Sequence, residues 1–196
     1  IILYNKNVFR ILILILFFLI SWSYAEDLEI TNWFNQESKE FLEIMNNADV
    51  EKHQNYEKYK EFVETNFALK SIAFGLLNEK IIKNSDEETL SRYENTFKAY
   101  LTKTIYNLAN SSTSGEIILK DIDIKDGVYI INSDISDKTS SVSLYWKVAK
   151  IKNSYKILDI VVENTSYFVT KKSEFTKILR KSRGSLDTLI EELEKI

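Results

Sequence analysis

The spacing of apolar residues changes period along the chain, and each change marks an element. Trp33, Phe34, Phe41, Leu42, Ile44 and Met45 fall on one helical face, which predicts a first amphipathic helix. Between 55 and 82, Tyr56, Tyr59, Phe62, Val63, Phe67, Leu69, Ile72, Ala73, Leu76, Leu77 and Ile81 recur at spacings of three and four. This predicts two or more helices with a break near Asn66 or Gly75. Ser85 with Glu88 three residues on reads as a capping box, and Asp86 and Glu87 put negative charge in the first turn that follows. The helix so started presents Leu90, Tyr93, Phe97, Tyr100, Leu101, Ile105 and Leu108 and ends in a loop from Asn110 to Gly115.

Beyond Gly115 the period becomes two. Ile122 and Ile124 alternate with Asp121 and Asp123, and Val142, Leu144, Trp146 and Val148 alternate with Ser141, Ser143, Tyr145 and Lys147, as in half-buried antiparallel strands. Turns are expected at Asp126-Gly127, at Ser136 to Ser140 and at Asn153-Ser154. The expectation is a four-strand meander over about 116–163. Helix returns at about 172–182 with Phe175, Ile178 and Leu179 inward; Gly184 ends it, and Ser185 caps a last helix carrying Leu186, Leu189, Ile190 and Leu193. The predicted class is α+β, an antiparallel four-strand sheet covered by helices.

The first 25 residues are predicted to be a cleaved secretory signal peptide. Lys6 and Arg10 precede an unbroken apolar run from Ile11 to Ile20, and Ser23 and Ala25 set small residues before a cut after Ala25. The run is half as long as a bilayer core requires. The expected organisation is a signal peptide over 1–25 and a single domain over 26–196. The whole chain of 196 residues has net charge −3 and lacks cysteine. That removes disulfides and thiolate chemistry, and there is no basic balance of the kind that binds nucleic acid. Zero prolines and four glycines shift turn signals onto Asn, Asp and Ser.

Candidate chemistry is sparse. His53 is the sole histidine, in a polar stretch with no orienting carboxylate evident, and a general base must be positioned and tuned. No Gly-x-Ser-x-Gly elbow or phosphate-cradling glycine loop occurs. Asp121, Asp123 and Asp126 read as a strand's solvent face rather than as a cation site. No catalytic residue, metal ligand or cofactor is expected. Asn110-Ser111-Ser112 and Asn164-Thr165-Ser166 match the weak glycan-acceptor pattern. Two features stand out. Tyr93, Phe97, Tyr100 and Tyr106 are set opposite a sheet with Leu144, Trp146, Ile157 and Val161, either as an ordinary core or as the wall of an apolar cavity. Lys171, Lys172, Lys177, Arg180, Lys181 and Arg183 cluster near the C-terminus, either as a solvated face or as a docking patch for anionic lipid or an acidic partner.

Three segments then carry a resemblance: "RYENTFKAYLTKTIYNLA" (92–109), "SLYWKVAKIKNSYKILDIVVENTSY" (143–167) and "EFTKILRKSRGSLDTLIEEL" (174–193). With the leader, they resemble the MlaC family, also called toluene-tolerance proteins. Arg92, Phe97, Tyr100 and Leu101 stand in the family's helix pattern before the sheet, and Asp159, Glu163 and Ser166 match its pattern at the sheet's end, with Asn164 and Thr165 where the family has Gly and Val. The resemblance implies a periplasmic phospholipid carrier that works between an outer-membrane complex of MlaA type and the MlaD-type subunit of an inner-membrane ABC transporter, maintaining lipid asymmetry. By family position, Leu101, Ile105 and Thr165 are expected to line the lipid pocket, so that Ile105→Glu or Thr165→Glu would set a charge against the tails. Strand alternation adds Leu144, Trp146 and Phe168 to these. A pocket near the upper end of about 300–1,000 Å³ is expected. The alternative is an exported NTF2-like module that binds a protein partner and has a filled core. A lipid hydrolase would need a nucleophile and base that the chain does not assemble.

Overall fold

The computed structural model describes residues 28–46, 52–111, 115–136 and 141–195. The expected signal peptide and the expected turn at 137–140 lie outside the described residues. The described residues up to 36 belong to one compact unit, and the described residues from 37 on form a second that holds the sheet. Residues 28–46 are helical (α1). Helices α2 (Lys52–Asn66), α3 (Leu69–Leu76), α4 (Glu79–Asn84) and α5 (Glu87–Ser111) follow. Then come strands β1 (Glu116–Lys125), β2 (Val128–Ser136), β3 (Ser141–Ile151), β4 (Ser154–Val162) and β5 (Thr165–Ser166), and helices α6 (Tyr167–Lys181) and α7 (Leu186–Glu194).

The break after α2 falls at Asn66 as the sequence predicts, but Gly75 stays inside α3. Phe67 instead makes a parallel bridge to Ile157, and the Ala68 amide donates to the Ile157 carbonyl at 3.0 Å. The Phe67 amide still donates to the Val63 carbonyl of α2 at 3.0 Å, so the helix is interrupted where Ala68 turns its amide to the sheet. Lys156 Nζ donates to the Thr65 carbonyl, supplying one of the acceptors left open at the end of α2 with a cationic partner.

The start of α5 differs by one residue from the expected capping box. Ser85 finishes α4, its hydroxyl donating to the Ile81 carbonyl at 2.9 Å. Asp86 caps α5: its carboxylate accepts the Thr89 amide at 2.7 Å and the Thr89 hydroxyl at 3.1 Å. These bonds hold the Asp86 carboxyl below its ordinary range, and the negative charge favours the helix N-terminus.

The sheet has five antiparallel strands in the order β1-β2-β3-β4-β5, not four. Asp126 and Gly127 make the first turn with φ of 52° and 77°, as expected. The turn before β4 uses Lys152 and Asn153, at 48° and 64°, rather than Asn153 and Ser154. A third two-residue turn, Glu163 and Asn164 at 47° and 65°, folds the extra strand β5 back onto β4. Both central residues at positive φ give the turn whose twist matches a hairpin, and Asn tolerates that region better than most side chains. Tyr129, Ile131 and Ser133 of β2, Leu144 and Val148 of β3 and Tyr155 and Ile157 of β4 are buried, while Asp121 and Asp123 are exposed.

Helix α6 begins at Tyr167, five residues before the expected start. The Ser166 hydroxyl accepts the Val169 amide at 3.0 Å, a cap the sequence pattern hid behind the aromatic and β-branched run 167–170. At its other end the Gly184 amide reaches the Leu179 carbonyl at 2.7 Å with Gly184 at φ 89°. This is the left-handed stop predicted for that glycine. Ser185 caps α7 through the Thr188 amide at 3.2 Å, also as predicted.

Candidate functional site

The end of β4 and the start of α6 are joined at one carboxylate. A register shift between Lys147 and Val148 sets Asp159 opposite Lys147. The Asp159 side chain is 5% exposed and accepts three donors: Lys147 Nζ at 2.9 Å, the Ser166 hydroxyl at 2.7 Å and the Phe168 amide at 2.9 Å. The last of these is a first-turn amide of α6, which the helix itself cannot satisfy. Asp159 therefore caps α6 from the neighbouring strand and fixes where Tyr167 and Phe168 stand.

Those two side chains close one side of an apolar cavity of about 100 Å³. Phe67 and Ile72 line it beside α3. Leu101, Thr104, Ile105 and Leu108 line it from α5, and Leu158, Asp159, Ile160 and Val162 from β4. The spacing of the α5 residues, three and four apart, is that of one helix stripe. Phe67, Ile72 and Leu101 are buried, whereas Leu108 is 65% and Val162 40% exposed. The cavity therefore opens at the end where α5 approaches the Glu163-Asn164 turn. Behind Phe168 stands Gly75, where an added Cβ would come within 3.1 Å of the ring. Here glycine's missing side chain lets the Phe168 ring come close against a helix.

Of the expected site residues, Leu101, Ile105 and Phe168 line the cavity. Thr165 is exposed on β5 and pairs with the lining residue Val162. Leu144 is buried opposite Val162 and Ser133, and Trp146 lies opposite Ile131 and Ile160 with its indole donating to the Ser133 hydroxyl at 2.8 Å. Leu144, Trp146 and Thr165 are outside the lining of this cavity. The cavity is also well below the volume expected, about a third of the lower limit for ordinary ligand pockets. The lining residues not anticipated as such are Phe67, Ile72, Thr104, Leu108, Leu158, Asp159, Ile160, Val162 and Tyr167. Leu108 and Ile72 carry a legible signal, the helical stripe. Leu158 carries none, because the register shift in β4 breaks its alternation.

The aromatic row of α5 is a filled core rather than a cavity wall. Tyr93, Phe97 and Tyr100 pack in sequence, and Phe97 and Tyr100 meet Phe175 of α6 edge-on at 6.4 and 6.1 Å. Tyr106 packs on Tyr56 and Tyr59 of α2. Beside the cavity, burial holds the Tyr167 phenol well above its ordinary pKa, with Tyr100 next to it, so it is a neutral hydroxyl. Lys171 lies over the rings of Tyr100 and Tyr167 at 5.7 and 5.5 Å and pairs with Glu174 at 2.8 Å. Burial works against its charge, but Glu174 and Tyr100 outweigh it and raise its pKa.

Among the described residues no group of three or more His, Cys, Asp or Glu side chains is placed to hold a metal ion. Asp121 instead accepts the Asn132 side-chain amide at 3.0 Å. The His53 side chain lies outside the described residues. What the arrangement offers is apolar surface behind a narrow opening.

The sheet and helices thus enclose an apolar cavity. The family model described as "MlaC protein" matches residues 35–195, and the chain belongs to the MlaC family. Its fold is similar to that of the phospholipid-binding protein from Ralstonia solanacearum, solved in complex with a phospholipid. The two share 19% identity with a TM-score of 0.69 over 83% of this chain and 93% of that one. No curated protein is similar enough in sequence to count as a relative. No helix among the described residues is long and apolar enough to cross a membrane.

Proposed function

We propose that this protein is a periplasmic phospholipid carrier: a signal peptide over 1–25 is removed, and 26–196 act as one lipid-binding domain with no covalent chemistry. Membership of the MlaC family and the likeness to a phospholipid-binding protein support this reading. The single observation that carries it is the apolar cavity between α5, β4 and the start of α6. Two acyl chains of about sixteen carbons, at about 0.8 kcal/mol per CH₂, oppose passage through water by on the order of 25 kcal/mol. A carrier must therefore wrap the tails while leaving the headgroup in solvent.

A cavity of about 100 Å³ holds only part of a chain. Uptake of a two-tailed lipid therefore requires its walls to part, with Leu101, Ile105 and Phe168 in contact with the tails and Leu144, Trp146 and Thr165 joining as the space grows. In the family's scheme the donor and acceptor are an MlaA-type outer-membrane complex and an MlaD-type subunit of an inner-membrane ABC transporter. The carrier moves lipid down the affinity difference between them.

The small volume also suits the alternative, an exported NTF2-like module with a filled core and a protein partner. Native mass spectrometry of the exported protein, followed by solvent extraction, separates the two. Co-purified phospholipid near one per chain is the expected result. A protein that carries none and takes none from vesicles would be the interaction module instead.

A further inference from the structure

Resting on that carrier reading, we propose that the exposed face of α6, together with the adjoining rim of the cavity, is a docking surface for an anionic lipid bilayer. The face is drawn by helical spacing: Val169, Lys172, Ser173, Thr176, Lys177 and Arg180 are all exposed, while Phe175 and Leu179 are buried on the other side. Residues 167–183 hold six basic side chains and one acidic one, in a chain whose net charge is −3. The single acid, Glu174, is engaged by Lys171. Lys172, Lys177 and Arg180 make no ion pair among the described residues. Charge of one sign is thus concentrated on one helix face and left available.

The same face runs into the cavity. Val169 is 64% exposed and directly follows Phe168, a cavity wall, and the Lys172 ammonium sits 5.6 Å over the Phe168 ring. Across the opening stand Leu108 and Val162, 65% and 40% exposed. Exposed aliphatic side chains at a cavity mouth, flanked by free cations, match the two chemistries of a bilayer surface: acyl boundary and anionic headgroup. An acidic protein would satisfy the cations but give Leu108, Val162 and Val169 no reason to be bare. Docked this way, the mouth meets the acyl region and tails move between bilayer and cavity without crossing water.

The test is sedimentation of the protein, as recovered from an exporting host, with vesicles of phosphatidylcholine alone and of phosphatidylcholine with phosphatidylglycerol. Bound phospholipid is counted in parallel by native mass spectrometry. Binding should require phosphatidylglycerol and weaken with added salt. Each cation near an anionic surface is worth a factor of about five, so the triple variant Lys172→Gln, Lys177→Gln, Arg180→Gln should bind roughly 100-fold more weakly. Val169→Asp should weaken binding while leaving the salt dependence in place. Equal binding of the triple variant and the parent, or no preference for phosphatidylglycerol, overturns the docking surface whatever lipid the protein carries. Absence of bound lipid with intact vesicle binding would instead count against the carrier reading and leave the surface standing.

Discussion

Asp159 serves three donors with two oxygens, and its loss leaves all three unpaired at once. Asp159→Ala strands the Ser166 hydroxyl, the Phe168 amide and the Lys147 ammonium. Lys147 keeps 41% of its side chain in water and recovers part of its solvation. The expected cost is about 2–3 kcal/mol, read as a lower urea midpoint at unchanged slope. A change within a few tenths of a kcal/mol would mean that the α6 cap is held by Ser166 alone. Inside the cavity, Ile105→Glu sets a carboxylate among apolar walls and should abolish lipid co-purification from a folded protein. Thr165→Glu should lose less lipid, because Thr165 is exposed one strand away from that wall. Lipid analysis of the two purified variants decides the order, and equal retention would remove Ile105 from the binding surface.

At the scale of elements, α3 is held between α5 and α6 by two contacts of opposite kind. The Tyr93 hydroxyl of α5 donates to the Ala73 carbonyl at 2.9 Å, in the last turn of α3 where carbonyls lack helical partners. Burial keeps that phenol well above its ordinary pKa, which favours the protonated, donating form. Tyr93→Phe removes the donor and keeps the ring, and should cost about 1–2 kcal/mol in thermal or chemical unfolding. On the other side Gly75 meets the Phe168 ring. Gly75→Leu forces a side chain where a Cβ already comes within 3.1 Å, and overpacking of this kind should cost about 1–3 kcal/mol. Since Phe168 is the residue displaced, the same variant should change lipid retention. Unaltered retention would show that the Phe168 ring is not part of the lipid-binding wall.

At the scale of the whole molecule, a phospholipid bound in the cavity would cover its apolar walls. Lipid that binds only the folded chain adds to its stability as RT ln(1 + [L]/Kd). Delipidated protein is therefore expected to melt at a lower temperature than protein as purified, with the difference restored by phospholipid. Calorimetry on the two preparations measures this directly, and coincident melting curves would speak for a filled-core module. The segregation of charge belongs to this scale as well, since Lys172, Lys177 and Arg180 act together only when α6 is laid down with their face outward.

The sequence by itself determined the periodic elements and their stops. Helix α5 follows its apolar spacing, β3 follows its alternation, and Gly127, Gly184 and Ser185 fall at the turn, the stop and the cap expected of them. These are local properties, set by steric limits on φ and by side chains that bond their own neighbours. The order of the three quoted segments also sufficed to place the chain in its family. Tertiary structure decided the rest. The shift that sets Asp159 against Lys147 exists only because β3 and β4 pair in that register. That pairing takes Leu158 out of alternation and brings Asp159 to the Phe168 amide at the start of α6, while the Glu163-Asn164 turn adds β5. Whether the aromatic row of α5 lines a cavity or fills a core was equally undecided until Phe175 packed against it. A helical stripe shows that a face is covered but not by what, because the covering partner is distant in sequence. For the same reason the apolar pattern announced a core of the right kind while only the packed structure fixed its free volume and the end at which it opens.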